Sequence, residues 1–324
     1  MDRLIITLVI IFASLAAGYA LKCRVAVNAA PDSLRKFDAM RIKIQKIAMF
    51  GLIPISAMLS LWGLPAPAPR LLFLPVLGLC AWMTGGVSAI MLSRFLSLDR
   101  RQTGSMFCCG SFTNIGAVGS LVCVMQYGEQ TIALASLYRL CEEFFYFAVA
   151  YPIARWYSLP AESAPRLDFT AFRMEPVLKA VLMALSMGLA LNLFGVPRPD
   201  VFGTCASASM IAGTICFLLS IGMGLRLSSL ASYLRESACL SLIKFLIVPV
   251  IIITAASLLG LGSIDDGLPL KVVAILSAMP VAMNALIPPS IFHLDLDLAN
   301  SCWIITTLAL IIVVPVLYAV LPAL

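Results

Sequence analysis

Long apolar stretches alternate with short polar segments along the entire chain. Eight of these stretches hold at least 18 residues without a charged side chain. Each can therefore cross the hydrocarbon core of a bilayer, which takes about 20 apolar residues in helical form. They are residues 4–21, 47–69, 71–93, 102–128, 180–197, 201–225, 272–292 and 298–324.

Two further apolar stretches contain charged residues. They are residues 130–154, with Arg139, Glu142 and Glu143, and residues 237–260, with Lys244. The complete pattern predicts an all-α integral membrane protein with ten transmembrane helices. The first stretch is interpreted as a membrane helix rather than a signal peptide, because nine more stretches follow it.

Composition excludes several functional classes. Of the 324 residues, 61% are hydrophobic and 12% are charged, whereas soluble domains contain about 25% charged residues. No segment interleaves basic and aromatic side chains, so we expect no nucleic-acid partner. The single histidine excludes the H-E-x-x-H zinc motif, and a G-x-S-x-G elbow is also missing. We therefore expect a protein that is not an enzyme and that uses no metal and no cofactor.

Lysine and arginine are distributed unevenly between the loops. The loop after the first predicted helix holds seven of them, and the loops after the third, fifth and seventh helices hold most of the others. Cytoplasmic loops carry the excess of these residues. The odd-numbered loops are therefore predicted to be cytoplasmic and both termini to lie outside. The expected location is a bacterial inner membrane, with the lipid bilayer as the surrounding partner.

A polar linker divides the chain near its middle. Residues 155–176 contain three prolines and follow the fifth predicted helix. The predicted domains are a first five-helix repeat in residues 1–154, this cytoplasmic linker, and a second five-helix repeat in residues 177–324. An odd number of helices in each half gives the halves opposite orientations. This inverted-repeat plan is common among secondary transporters.

The fourth predicted helix has a polar, glycine-rich centre around Asn114. Residues 109–120 contain three glycines, two serines, a threonine and this asparagine, all of which disfavour a helix. A half-helix that starts after Asn114 would direct its N–H groups and the positive end of its dipole toward an anion. The alternative is a continuous helix that packs closely through its small residues.

The ninth predicted helix contains Pro280 near its centre, between Ser277 and Asn284. Proline removes one backbone donor and frees a carbonyl oxygen. An ordinary proline kink would explain this helix if it stood alone. However, interrupted helices in corresponding places of the two halves indicate a substrate site.

Short motifs in these two helices resemble the auxin efflux carrier family. They are the segment Ser111-Phe-Thr-Asn114-Ile-Gly116, the segment Ser277-Ala-Met-Pro280 and Asn284. The family includes plant PIN proteins and bacterial organic-acid carriers such as the malonate transporters, and the ten-helix outline is similar to theirs. The resemblance implies that helices four and nine break and cross, and that the crossing holds a substrate carboxylate. Family members often have a proline soon after the glycines of helix four, and this chain has none there.

The candidate substrate-binding residues all come from these two segments. They are Ser111, Asn114, Ile115 and Gly116 in helix four, and Ser277, Pro280 and Asn284 in helix nine. Neither helix centre carries a fixed positive charge, so neutral donors are expected to hold most of an anionic ligand.

The charged residues inside the predicted spans are candidates for coupling. Arg139, Glu142 and Glu143 have the i, i+3 and i+4 spacing that lets the arginine pair with either acid. One of these glutamates could carry a coupling proton, or the group could be an ion pair that packs the fifth helix. Lys244 could extend to the membrane interface, or it could attract an anion into a cavity.

These observations predict a secondary transporter that moves a small organic anion, expected to be a carboxylate, by alternating access. A proton or a sodium ion is the expected coupling partner. One alternative is a sodium-coupled symporter of the bile-acid symporter type, and another is a membrane sensor that transports nothing. A homodimer is compatible with the sequence, although strict G-x-x-x-G signals are missing.

Overall fold

A computed structural model describes residues 2–27, 31–63, 69–159, 176–225 and 230–323. Within these ranges helices account for nearly all regular structure, and the one β element is an isolated antiparallel bridge between Thr113 and Val281. Residues 160–175, which make up most of the predicted linker, lie outside the described part of the chain.

The first nine α-helices of the described chain lie between residues 2 and 158. They are α1 (Asp2–Val27), α2 (Pro31–Ile47), α3 (Ile53–Trp62), α4 (Phe73–Phe95), α5 (Arg100–Ser111), α6 (Ser120–Tyr127), α7 (Gln130–Tyr138), α8 (Glu142–Phe145) and α9 (Tyr151–Ser158). Short π-helical turns extend three of them: Ala48–Leu52 leads into α3, Ile115–Gly119 leads into α6, and Tyr146–Ala150 joins α8 to α9. A 3₁₀ turn, Pro69–Leu72, leads into α4.

Seven α-helices follow. They are α10 (Pro176–Leu193), α11 (Val201–Gly224), α12 (Leu234–Leu242), α13 (Val248–Leu258), α14 (Leu268–Ser277), α15 (Ile287–Ile291) and α16 (Leu296–Val320). The π-helical turn Ile243–Ile247 joins α12 to α13. The 3₁₀ turns are Leu230–Tyr233, Leu261–Ser263, Asp265–Gly267, Met283–Leu286 and Leu321–Ala323.

Six segments of the described chain are long and apolar enough to cross a membrane. They are Asp2–Val25, Leu34–Trp62, Pro69–Phe95, Val201–Gly224, Leu234–Leu258 and Leu296–Val320. Large apolar side chains such as Val250 in α13 and Ile312 in α16 are exposed on their surfaces. Such exposure suits lipid contact, because a soluble monomer rarely presents large apolar patches to water. The chain is therefore a multi-pass membrane protein.

The chain forms two compact units, each assembled from separate stretches of sequence. The first unit comprises Met1–Pro67, Gly116–Ser136 and Glu175–Leu225. In it α1 packs on α11, and α3 packs on α10 and α11. A buried apolar cluster consists of Leu59, Val124, Ile132, Ala206 and Met210.

The second unit comprises Ala68–Ile115, Leu137–Met174 and Arg226–Leu324. In it α5 packs on α4, α9 and α16, while α12 packs on α16 and α13 packs on α14. Each unit thus draws helices from both halves of the sequence. The first two predicted helices of each half lie almost entirely in the first unit, and the third helix of each half lies in the second. The fourth and fifth predicted helices of the first half are divided between the units, whereas those of the second half lie in the second unit.

Glycines allow backbones to touch within each unit. In the second unit, a Cβ placed on Gly85 of α4 would collide with the carbonyl oxygen of Gly110 of α5, and the reverse also holds. In the first unit, Gly18 of α1 and Gly222 of α11 each face a backbone carbonyl of the other helix. Small residues allow membrane helices this close approach.

Replacing Gly85 by alanine is expected to destabilise the folded protein by about 1–3 kcal/mol, because the added methyl group overpacks a backbone contact. The measurement is the thermal unfolding midpoint of the purified protein in detergent. Gly51→Ala is the matched control, since a Cβ at that position meets nothing within 4 Å. Equal midpoints for the two variants would contradict the proposed close packing.

Polar caps fix the starts of two helices in the second unit. The Asp99 side chain accepts a bond from the Gln102 N–H at 2.8 Å, and the Gln102 side chain accepts the Asp99 N–H at 3.1 Å, which sets the start of α5. Asp295 accepts the Leu298 N–H at 2.9 Å at the start of α16. The Tyr233 hydroxyl donates to the same carboxylate at 2.7 Å, and this bond raises the pKa of Tyr233 above its ordinary value.

Candidate functional site

The first interruption lies in residues 112–114, in the middle of the predicted fourth helix. Helix α5 ends at Ser111, and Phe112 is extended, with φ −79° and ψ 119°. Helical geometry resumes only at Ile115, as a π-helical turn that leads into α6. The helix is interrupted here without the proline that auxin efflux carriers often have. Glycine and asparagine, which disfavour a helix, flank the interruption.

The second interruption lies at Pro280. Helix α14 ends at Ser277, Ala278 leaves helical geometry at φ −96° and ψ 25°, and Ala282 is extended at φ −75° and ψ 151°. Proline lacks an N–H group and disfavours helical geometry in the residue before it. A 3₁₀ turn then starts at Met283 and leads into α15.

The two extended segments cross within the second unit. Thr113 and Val281 form the antiparallel bridge, with Asn114 N–H donating to the Pro280 carbonyl at 2.9 Å and Ala282 N–H donating to the Phe112 carbonyl at 3.1 Å. This strand-like pairing satisfies backbone groups that no helix can satisfy at membrane depth. We refer to residues 112–114 and 280–282 together as the crossing.

Two side chains complete the backbone bonding of the crossing. The Thr306 hydroxyl of α16 accepts the Val281 N–H at 3.2 Å. Lys244, from the π-helical turn after α12, donates to the Gly110 carbonyl at 3.2 Å, to the Phe112 carbonyl at 3.5 Å and to Thr113 Oγ1 at 2.5 Å. Its ammonium therefore caps the last carbonyl groups of α5, where the helix dipole is negative.

Lys244 brings a positive charge to the crossing. The residue is only 1% exposed, so it does not extend to the membrane interface. The ion pairs of the described residues join Arg41 to Asp38, Arg139 to Glu142 and Arg198 to Glu129, and none of them involves Lys244. An ammonium has three donors, and the three oxygen atoms around Lys244 use all of them. The lysine can therefore act on a nearby anion through its charge rather than by direct hydrogen bonding.

The crossing brings some of the sequence-predicted residues together. Asn114 is buried and reaches Pro280 through its backbone, and Ile115 follows it with its N–H directed at the Thr113 carbonyl at 2.8 Å. Asn284 follows the crossing in the 3₁₀ turn, where its Oδ1 is buried and has no hydrogen-bond partner among the described residues.

Other predicted residues face elsewhere. The Ser111 hydroxyl lies where a Cβ on Gly86 of α4 would stand, so it packs against that helix. The Ser277 hydroxyl bonds back to the Ala274 carbonyl of its own helix at 3.2 Å. Gly116 begins the stretch Gly116–Ser136, which belongs to the first unit, whereas the crossing belongs to the second unit.

The charged group of the fifth predicted helix lies next to a turn. Arg139 follows the end of α7, and its Nε pairs with Glu142 Oε2 at 2.6 Å. The other glutamate oxygen accepts the Tyr146 hydroxyl at 2.9 Å, and the Tyr146 ring stacks on Phe112 with centroids 3.8 Å apart. The ion pair therefore contacts the crossing through one aromatic stack. The side chain of Glu143 lies outside the described residues.

Sequence reasoning did not identify Thr113, Thr306 or Tyr146 as parts of the site. Thr113 lies within the segment used for the family resemblance, and its β-branched side chain suits an extended backbone. Thr306 and Tyr146 lie in apolar runs without a local signal, because their contacts depend on how distant helices pack. Only the positions of the two interruptions could have indicated where to look for them.

Comparison with known proteins finds distant relatives. No protein-family model matches the chain. A protein of Methanothermobacter thermautotrophicus named as an uncharacterized transporter is 22% identical over 251 residues, which cover 78% of this chain and 79% of that protein. An uncharacterized transporter of Methanocaldococcus jannaschii is 21% identical over 239 residues, which cover 74% of this chain and 75% of the relative.

Proposed function

We propose that this protein is a secondary transporter that moves a small organic anion, in particular a carboxylate, across a bacterial inner membrane by alternating access. The observation that carries the proposal is the crossing of two interrupted membrane segments, with the Lys244 ammonium bound to it. Transporters bind substrates and ions at such breaks near the middle of the membrane. Two relatives named as transporters support the same class of function.

An anion suits this crossing for electrostatic reasons. A buried charge in a membrane protein is costly unless it has a partner, and no described carboxylate forms an ion pair with Lys244. A bound carboxylate would supply the missing negative charge. Asn114 and Asn284 would then supply neutral donors around it.

The proposed architecture is ten helices in two inverted repeats, with interrupted helices four and nine. Six uninterrupted segments account for six of the ten predicted spans. Three of the remaining spans are interrupted, at residues 112–114, 139–141 and 278–282, and this explains why no single long helix represents them. The apolar helix Met183–Leu193 corresponds to the one span that is left, residues 180–197. The first three predicted helices of each half belong to corresponding units, and this correspondence supports the repeat.

The test is transport by the purified protein in proteoliposomes, measured with a panel of labelled mono- and dicarboxylates. Imposed pH and sodium gradients are varied independently. We expect saturable uptake or exchange of at least one carboxylate. Uptake that requires sodium would favour the bile-acid symporter type, and specific binding without flux would favour a sensor. The absence of both flux and binding for every anion in the panel would overturn the proposal.

Both termini are expected to lie outside and residues 155–176 to lie in the cytoplasm, because the odd-numbered loops carry the excess of Lys and Arg. Reporter fusions after Ser163 and after Leu324 provide the measurement. We expect a reporter that is active only in the cytoplasm to be active at Ser163 and inactive at Leu324. The same activity at both positions would contradict the two inverted halves.

Glu142→Gln is expected to reduce the dependence of transport on a pH gradient while leaving substrate binding within a few-fold. The reason is that glutamine cannot exchange a proton, although it can still bond the Tyr146 hydroxyl that stacks on Phe112. The measurement compares uptake with and without an imposed gradient. Glu129→Gln is the matched control, because Glu129 also pairs with an arginine but belongs to the first unit. Unchanged gradient dependence would leave the ion pair with a packing role.

A further inference from the structure

We propose that Lys244 is a tethered cation that occupies a monovalent-cation site of the crossing, so that the native protein transports its substrate without sodium or potassium. This inference rests on the proposed function and extends that function by excluding a metal ion as the coupling partner. It also assigns a latent site for sodium, potassium or ammonium, which becomes available when the lysine side chain is shortened.

The atoms around the Lys244 ammonium are those that bind small cations in transporters. Two are backbone carbonyl oxygens, of Gly110 at the end of α5 and of Phe112 in the unwound segment, and the third is the Thr113 hydroxyl. Unwound carbonyl groups and the C-terminal ends of half-helices coordinate sodium ions or protons in broken-helix transporters. Hard cations such as these take oxygen ligands of the same kinds.

The three oxygen atoms form an environment that favours a cation. They lie at the negative end of α5, and Lys244 holds them in a setting where it is 1% exposed. Without a positive charge, the Gly110 carbonyl would be left at membrane depth without its lysine donor. The Lys244 side chain is part of the protein and always occupies this position, whereas a free ion would have to be supplied by the solution. Coupling to a metal-ion gradient therefore has no place at this position in the native chain.

Shortening the Lys244 side chain distinguishes a cation site from a simple helix cap. Lys244→Ala removes the ammonium and leaves space among the oxygen atoms, whereas Lys244→Met removes the charge and keeps most of the side-chain volume. Lys271→Ala is the control, because Lys271 lies in the same unit but bonds the Asp266 carbonyl before α14 rather than the carbonyl groups of the crossing.

The first measurement is the thermal unfolding midpoint of purified variants in sodium, potassium, ammonium or choline chloride at equal ionic strength. A ligand that binds only the folded state raises this midpoint. We expect small cations to raise the midpoint of Lys244→Ala by at least about 2 °C over choline. The native protein, Lys244→Met and Lys271→Ala are expected to show no such difference.

Equal midpoints of Lys244→Ala in all four salts would overturn the inference. A Lys244→Ala protein that cannot be purified in any of the salts would also count against it, because small cations are expected to restore the fold. A response of Lys244→Met as large as that of the alanine variant would show that the effect does not depend on the vacated space.

The second measurement is carboxylate flux in proteoliposomes that contain choline in place of sodium and potassium. The native flux is expected to stay within twofold, and Lys244→Ala is expected to require one of the small cations. A native flux that falls at least tenfold in choline would overturn the tethered-cation inference and leave the proposed transport intact. The absence of native flux under every condition would instead contradict the proposed function, while the unfolding measurement still decides whether the cation site exists.

Discussion

Replacing Lys244 by methionine is expected to weaken binding of the anionic substrate by at least about thirtyfold. Two unit charges about 6–8 Å apart attract each other by about 2–3 kcal/mol at an effective dielectric constant of about 20, which is roughly thirty- to a hundredfold in affinity. Lys244 is buried and supplies a positive charge at the crossing that no described carboxylate pairs with. Methionine keeps most of the side-chain volume and removes that charge.

The loss of affinity must be separated from a loss of folding. Lys244 also caps the Gly110 carbonyl at the end of α5, so the methionine variant is expected to unfold at a lower temperature. Substrate affinity is therefore measured on the folded fraction, isolated by size-exclusion chromatography. Lys271→Met is the control for removing a lysine elsewhere in the same unit. A folded Lys244→Met protein with native affinity would show that the lysine is a structural cap and that the anion binds elsewhere.

The positions of the two interruptions could be predicted from local sequence. Glycine and asparagine around Asn114 lower the helical preference of one segment, and Pro280 removes a donor from the other. These effects act within a few residues, so they can be recognised from the local sequence. The antiparallel bridge between Thr113 and Val281 could not be derived in this way, because it joins residues far apart in the chain.

The location of Lys244 shows where sequence reasoning stops. A lysine inside an apolar run is consistent with extension to the interface and with a buried position, because a long side chain can serve either purpose. The choice depends on which face of the helix meets its neighbours. Residues 234–258 are apolar on nearly all sides, so hydrophobic periodicity does not select a face. Packing places the lysine on the carbonyl groups of another interrupted segment, and this supplies the positive charge that neither helix centre contains.

The interruptions also explain why the number of long helices is smaller than the number of predicted spans. A hydropathy pattern measures the apolar length of a segment and does not report whether its backbone is continuous. The segment of residues 102–128 is free of charged side chains, yet it contains most of α5, an extended stretch and α6. Interrupted backbone at membrane depth is tolerated where protein satisfies its polar groups. At the crossing, Pro280, Thr306 and Lys244 provide those partners.

Replacing both Asn114 and Asn284 by alanine is expected to weaken substrate binding by about a hundredfold or more. Loss of one hydrogen bond to a charged ligand costs about 1.5–3 kcal/mol, or roughly ten- to a hundredfold in affinity. Asn114→Ala alone is expected to give most of this loss, because Asn114 lies within the crossing. Asn284 follows the crossing by two residues, and its Nδ2 amide is the group that would donate to a carboxylate.

The Asn114 replacement keeps the backbone bond that joins the two segments of the crossing. Asn114 is tied to Pro280 through its backbone N–H, and alanine retains that bond. The measurement is substrate affinity by equilibrium binding to the purified single and double variants. Asn192→Ala is the matched control, because Asn192 belongs to the first unit and its amide donates to the Trp62 carbonyl at 3.1 Å. Native affinity in a correctly folded double variant would place the substrate away from these asparagines, and the Lys244→Met result would then decide whether the crossing takes part in binding at all.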